Sequence, residues 1–327
     1  MIKLCKGDDL VYTPCVKNAS DEVKNVLEFL KEISGKAIIT GQHTQTLLQE
    51  ELLYVMSVTK KMPALLGFEL LSYSPNINYS DAGDDCLKEI YENRNTISKA
   101  YEWAEKKGLI TFTWHWFSPL GGRDKSFYTE NTNFDPNGIL IYGSNERRAF
   151  YRDLDEMADL LGGFKKRKIP VIWRPFHEAE GTWFWWGSKG PVIAAKLYRL
   201  MFDYFTKEKE LNNLIWVWNC PIKESYVGDE YCDIISRDIY LDPHTHTDYE
   251  KERKELTEIT SSNKITSLAE VGTYPDIKAL EKISSSWAYY MLWSKEFCSE
   301  KYNDDSVLKE IYNSDFSITL DTLPKLY

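Results

Sequence analysis

The sequence predicts an α/β fold, a single (β/α)8 TIM barrel over residues 1–327 with extended loops on its C-terminal face. Three observations carry this reading. Eight short apolar runs of strand length alternate with helical stretches. No linker or low-complexity segment interrupts the alternation. Polar, chemistry-bearing residues gather just after the runs, where a barrel of this kind carries its functional loops. A length of 327 residues suits one large barrel. A doubly wound sheet is the rival architecture.

The elements follow in order. Residues 21–33 place Val23, Val26, Leu27, Leu30 and Ile33 at helical spacing, with Ser20 and Asp21 at the start and Gly35 after the end. Residues 37–40 form the first strand and run into Gly41, Gln42 and His43. A helical pattern over 47–58 precedes the second strand, 63–68, which ends near Glu69. A loop rich in Ser, Asn, Asp and Tyr then leads into a helix running through Lys107 and closed by Gly108. Residues 109–113 form the third strand, followed by Trp114, His115 and Trp116. A large loop spans 117–145, and 147–164 is helical. The fourth strand, 171–173, is short and leads into the densest polar and aromatic stretch of the chain. A helix over 191–207 precedes the fifth strand, 213–218, which ends at Asn219. The sixth, 232–235, continues to Asp238 and Tyr240. A charged helix near 248–261 leads to the seventh, 264–269, ending at Glu270 and Gly272. A short helix near 276–282, the eighth strand at 287–293 and a helix near 306–312 complete the chain.

Composition narrows the function. Lys and Arg number 40 against 50 Asp and Glu, a net charge of −10. Such a surface repels phosphate backbones, so no nucleic-acid partner is expected. No apolar stretch reaches the roughly 18 residues of a membrane span, so no membrane partner is expected either. The N-terminus, MIKLCKGDDL, has no signal-peptide apolar region. As written the chain is cytoplasmic; the alternative is export with the signal already removed. Six cysteines stand at 5, 15, 86, 220, 232 and 298 without a CxxC pair, and read as scattered thiols. Export would allow a Cys5–Cys15 disulfide. Eleven Trp and twenty-one Tyr supply flat faces that serve core packing and also suit the C–H faces of sugars.

Residues 169–187 bring Arg174, His177, Glu178 and Glu180 within seven positions, then Trp183, Trp185 and Trp186. Glu178 and Glu270 follow strands four and seven, which lie nearly opposite across a barrel mouth. Glycoside hydrolysis uses two carboxyl groups flanking one bond; at about 5–5.5 Å apart, one attacks the anomeric carbon while the other protonates the leaving oxygen. His177, Arg174 and Tyr240 are placed to orient the nucleophile and to separate the two acidities. Metal chemistry is the competing idea, through His244 and His246 or through His43, His115 and His177 with a glutamate. No HExxH spacing supports the second set, and His244-Thr-His246 sits in a polar loop. The chain has no Walker loop, no GxGxxG and no serine nucleophile elbow, so neither metal nor cofactor is expected.

The run Trp-Arg-Pro-Phe-His-Glu-Ala-Glu-Gly-Thr-Trp-Phe-Trp-Trp-Gly at 173–187 resembles the acid/base segment of the glycoside hydrolase family 26 β-mannanases. Gly41-Gln42-His43, Trp114-His115-Trp116, residues 213–218, Arg237-Asp238-Ile239-Tyr240 and Ala269-Glu270-Val271-Gly272 resemble that family's other strand ends, in the same order. The resemblance implies a retaining double displacement without cofactor, with Glu178 as acid/base and Glu270 as nucleophile. His177 takes the place of the Asn that precedes the acid/base in many related barrels. Trp183 and Trp293 resemble the aromatic floor under the sugar on the non-reducing side of the cleaved bond. Tyr240 resembles a tyrosine that hydrogen-bonds the nucleophile, and His115 and Arg174 match polar positions around the site. Glu180 is expected to serve the loop, and Trp185 and Trp186 to pack it. The implied activity is endo-hydrolysis of β-1,4-mannosidic bonds in mannan, glucomannan or galactomannan. The alternatives are β-1,3-1,4-glucan or β-1,3-xylan as substrate, mannobiose release from a chain end, and, more remotely, a sugar-binding barrel without catalysis. The 72–85 and 117–145 loops would decide between endo and exo action.

Overall fold

In the computed structural model, which describes residues 13–327, the barrel strands are almost wholly buried. Parallel strands covered on both faces read as continuous apolar runs rather than alternating ones. Leu65 and Leu66 in the second strand, and Trp216, Val217 and Trp218 in the fifth, are such runs. Strand β1 comes in two pieces, Ile38–Ile39 and Gly41–His43. β2 is Leu65–Glu69, β3 Leu109–Thr113, β4 Val171–Arg174 and β5 Leu214–Asn219. β6 is Ile234–Ile239, β7 Ile265–Val271 and β8 Trp287–Leu292. Each strand pairs in parallel with the next, and β8 closes the barrel by pairing with both β7 and β1. Closure depends on Gly41, where a Cβ would stand 2.2 Å from the Tyr290 carbonyl oxygen on β8. A short strand, β9 (Ser317–Ile318), adds to the first piece of β1 and has no counterpart in the sequence reading.

Helix α1 (Asp21–Glu32) precedes the barrel, with the Ser20 hydroxyl accepting the Val23 N–H at 3.3 Å as its cap. α2 (Glu50–Thr59) follows β1, and α3 (Asp84–Glu92) and α4 (Thr96–Glu105) follow β2. The short α5 (Pro136–Ile139) and long α6 (Asn145–Lys166) follow β3, and α7 (Pro191–Asp203) follows β4. α8 (Glu250–Thr257), α9 (Ile277–Lys282) and α10 (Asp305–Asn313) follow β6, β7 and β8. Between β5 and β6 lies only a single 3-10 turn, Lys223–Ser225.

Two expectations are corrected. The helix expected to run through Lys107 is two helices, because Asn95 adopts a left-handed φ of +63° that ends the first and starts the second. The Asn93 carbonyl at this break accepts the hydroxyls of Ser72 and Thr96 at 2.7 Å each. Several strands also continue further than their apolar runs. His43 and Arg174, expected to follow their strands, lie inside them, while Glu69, Asn219, Asp238 and Glu270 stand at the ends of their strands as read. Their backbones are laddered like any other strand residue while their side chains are polar, and apolar patterning sees only the side chains. Among the described residues no helix is long and apolar enough to cross a membrane. Cys86, Cys220, Cys232 and Cys298 are buried free thiols, and Cys5 lies outside the described residues.

Two loops on the C-terminal face are tied to one helix. The Asp153 carboxylate, fully buried on α6, accepts the Trp116 indole N–H at 2.9 Å and the Asn76 amide at 2.8 Å, with Arg152 alongside at 2.9 Å. One side chain thus fixes the loop after β2 and the loop after β3. Asp153→Ala leaves these donors buried without their acceptor, and the expected cost is about 2–4 kcal/mol. Urea unfolding should show a lower midpoint with an unchanged slope; an unchanged midpoint would contradict this account.

Candidate active site

The site begins where β4 ends. After Arg174 the chain turns sharply, and Phe176 and Glu178 both take left-handed φ values of +52°. Each such residue costs roughly 1–3 kcal/mol and persists only when its surroundings hold it. Here the Glu178 N–H donates to Asn219 Oδ1 at 2.6 Å, and the Trp186 indole N–H donates to the His177 carbonyl at 2.9 Å. Trp185 and Trp186 are buried beneath the turn, and the Trp185 indole donates to the Trp116 carbonyl at 2.7 Å. Trp183 remains 45% exposed, and its indole N–H donates to Glu178 Oε2 at 2.7 Å. The loop after β3 fastens to this loop through a Tyr128–Phe184 bridge, with the Thr129 N–H donating to the Trp183 carbonyl at 2.7 Å.

Across the barrel, Glu270 on β7 is held by two donors. The Tyr240 hydroxyl donates to Oε2 at 2.8 Å, and Arg174 Nη2 donates to Oε1. The same guanidinium donates through Nη1 to Asp238 Oδ2 at 2.7 Å and through Nη2 to Thr113 Oγ1 at 3.0 Å. One carboxylate oxygen each from Glu178, Asp238 and Glu270 lies within 4.8 Å of the other two. Among the described residues these are the one group of potential ligand atoms that converges closely enough to share a cation. Arg174 already sets a fixed positive charge against two of the three.

Both glutamates lie above the ordinary carboxyl range, but they have different partners. Burial pushes Glu178 up to about 7, and the negative Asp238 adds to the shift against the Trp183 hydrogen bond. Burial also raises Glu270, but the Arg174 charge pulls the other way, and Tyr240 donates to it as well. The pair titrates as a unit. Arg174 and Tyr240 both donate to Glu270, whereas the Trp183 indole donates to Glu178, so the hydrogen bonds favour the ionised form more strongly at Glu270. Glu180 is also raised to about 7, by burial and then by Asp238.

The histidines divide. Burial would lower His115, but the Glu69 carboxylate, 2.7 Å from Nδ1, raises it above its ordinary value. Burial holds His177 and His43 well below theirs, so both rings are neutral. His177 packs between His115, Phe184 and Trp186, with centroids 4.7, 5.0 and 5.5 Å away. His177 was expected to help orient the nucleophile; the side chains that bond Glu270 are Arg174 and Tyr240. His43 stacks on Trp293 with centroids 4.0 Å apart. His115 and His177 thus meet edge to face, and Trp293 stands between His43 and His115. His244 lies 3.2 Å from Asp304, and His246 Nδ1 is 2.7 Å from the Tyr274 carbonyl oxygen. A cavity of about 420 Å³ lined by His43, Glu69, His115, Phe127, Tyr128 and Trp293 opens on the β1–β2–β8 side of the centre.

Of the residues named from sequence, Glu178, Glu270, Arg174, Tyr240 and Trp183 meet directly, and His115 and Trp293 line the adjoining cavity. Asp238, Asn219 and Glu69 were noted as strand ends without a role. A usable signal was present for Asp238. It stands two residues before Tyr240, and in a strand that spacing puts both side chains on one face.

A family model described as "Glycosyl hydrolase family 26" matches residues 15–322. The chain is 33% identical over 317 residues to a mannan endo-1,4-beta-mannosidase of Thermothelomyces thermophilus, covering 94% of this chain and 62% of that protein. It is 29% identical to mannan endo-1,4-beta-mannosidase B of Piromyces sp, covering 92% of this chain and 52% of the relative. The chain therefore spans only about half to three-fifths of these curated relatives. Among solved structures, the Podospora anserina GH26-CBM35 β-(1,4)-mannanase superposes with a TM-score of 0.85 at 30% identity, over 98% of this chain and 71% of that one. A β-mannanase from a symbiotic protist of the termite Reticulitermes speratus, complexed with gluco-manno-oligosaccharide, gives 0.83 at 29% identity over 97% and 99%. With the family model covering nearly the whole chain, and with such barrels superposing along its length, this chain belongs to glycosyl hydrolase family 26.

Proposed function

We propose that residues 1–327 form one catalytic domain, a retaining endo-β-1,4-mannanase acting on mannan, glucomannan or galactomannan. The carrying observation is the pair Glu178 and Glu270, with oxygens within 4.8 Å and different hydrogen-bond donors, Trp183 on the first and Arg174 with Tyr240 on the second. Carboxyl oxygens this close fall short of the roughly 6.5–9.5 Å that an intervening water requires, which favours direct attack and a covalent intermediate. The mannan substrate rests on the relatives, two of which carry the name mannan endo-1,4-beta-mannosidase.

In the first step, ionised Glu270 attacks the anomeric carbon as Glu178 delivers its proton to the departing glycosidic oxygen. The bond to the leaving sugar breaks and an ester to Glu270 forms. Tyr240 and Arg174 hold the nucleophile's two oxygens, so the attacking one is aimed before substrate arrives. In the second step, Glu178, now ionised, takes a proton from water, and the hydroxide cleaves the ester with net retention. Trp183 and Trp293 offer indole faces to the sugars, and His115 and Arg174 supply polar contacts. His177 supports the site from beneath.

Glu178→Ala and Glu270→Ala should each lower release of reducing ends from mannan by at least about 10³-fold. Azide should restore Glu178→Ala on an aryl β-mannobioside with a good leaving group, giving a β-configured glycosyl azide, whereas azide rescue of Glu270→Ala should give the α anomer by a single direct displacement. Sizing of early products from mannan should show a spread of oligosaccharides; a lone disaccharide would indicate action from a chain end. Near-normal mannan cleavage by either variant would remove the assignment.

The pH dependence follows from the protonation states. Activity needs Glu178 protonated, and burial holds that proton up to about pH 7. kcat/KM should therefore fall on the alkaline side of about pH 7, approaching tenfold per pH unit. A profile level from pH 6 to pH 9 would contradict this.

A further inference from the structure

The left-handed turn that carries Glu178 is gripped by a residue the reaction itself does not use. Asn219, at the end of β5, is 1% exposed. Its Oδ1 accepts the Glu178 N–H at 2.6 Å, and its own carbonyl accepts the next N–H, from Ala179, at 3.4 Å. Its amide nitrogen donates to Ser236 Oγ at 2.9 Å and to Asp238 Oδ1 at 2.9 Å. The amide can face only one way, because an ionised Asp238 accepts and a backbone N–H donates. Asp238 bonds Arg174, and Arg174 bonds Glu270. An unbroken chain of hydrogen bonds thus runs from the backbone of Glu178 to the side chain of Glu270, and Asn219 is the link between the β4 loop and the ionic group.

We propose that Asn219 is a positioning residue that fixes the acid/base loop in register with the nucleophile. The proposal rests on the assignment of Glu178 as acid/base. Without Asn219, the Glu178 N–H loses its acceptor and the left-handed turn loses a restraint, so the carboxyl group wanders from the glycosidic oxygen. Asp238 loses a donor in the same change. The nucleophile keeps both of its own donors, Tyr240 and Arg174. The defect therefore falls on proton delivery, and attack by Glu270 is spared.

Leaving-group dependence separates these steps. A dinitrophenyl β-mannobioside departs without protonation, whereas a mannan glycosidic oxygen does not. Asn219→Ala should lower kcat on mannan by about 10²-fold, the scale of a small misplacement of a reacting group. Its pre-steady-state burst rate on the dinitrophenyl substrate should stay within about threefold of the parent. Asn219→Asp keeps an acceptor for the Glu178 N–H but places a second anion beside Asp238 and near Glu178. Its loss on mannan should be smaller at the optimum, and its alkaline limb should move to higher pH, since a nearby negative charge favours the protonated carboxyl. Equal losses on both substrates with an unmoved alkaline limb would overturn the proposal and leave Asn219 a packing residue. So would parental rates on mannan in Asn219→Ala. If Asn219→Ala does not fold, the limb of Asn219→Asp decides alone. Failure of the acid/base assignment itself is read separately, as mannan cleavage surviving in Glu178→Ala.

Discussion

The centre of this protein depends on one buried cation. Arg174 is 2% exposed, and its planar fork reaches Asp238, Thr113 and Glu270 at once. A guanidinium is well suited to this, since its donors are fixed in a plane and it stays charged in a dry setting. Burying an ion pair is costly unless every partner is satisfied. Here one positive charge serves two carboxylates, and the group remains short of positive charge. Burial, and then the negative Asp238 beside it, raise Glu178, so it holds a proton that an exposed carboxyl group would have lost.

The polar side chains that matter sit on strands, and this gives the site its rigidity. Arg174, Asn219, Asp238 and Glu270 belong to four neighbouring strands, β4 to β7, whose spacing is set by the backbone ladder. Glu178 is the exception, placed on a strained turn one step beyond β4. The scaffold compensates with buried tryptophans beneath the turn and with hydrogen bonds to its backbone. Fixed parts carry Glu270, and a braced loop carries Glu178.

Much of the architecture was legible in the sequence, because parallel barrel strands are apolar on both faces and stand out as runs. The 109–113 strand matches the observed β3 residue for residue. Strand ends were less legible. His43 and Arg174 look like loop residues to a reading that follows hydrophobicity, yet each continues its ladder. The helix break at Asn95 was hidden because Asn is acceptable within a helix and only its backbone angle reveals the stop. At the site, Glu178 and its aromatic surroundings were visible as a dense local cluster, and Glu270 as the end of a separate strand. The links between them were not. Asn219 and Asp238 act through partners 41 and 64 positions away in the chain, and no local pattern encodes such contacts.

The join between the β3 and β4 loops has a consequence for how such a barrel can diversify. Loops of a (β/α)8 fold are commonly regarded as exchangeable parts, each free to change while the barrel stays constant. Here the Tyr128–Phe184 bridge and the Thr129 contacts make two of them a single piece, and that piece holds the indole that touches Glu178. A change in the length of the 117–145 loop therefore reaches beyond the shape of the cleft to the hydrogen bond that Trp183 gives Glu178. Cleft shape and the setting of that carboxyl group are inherited together in this protein, so exchanging one loop disturbs both.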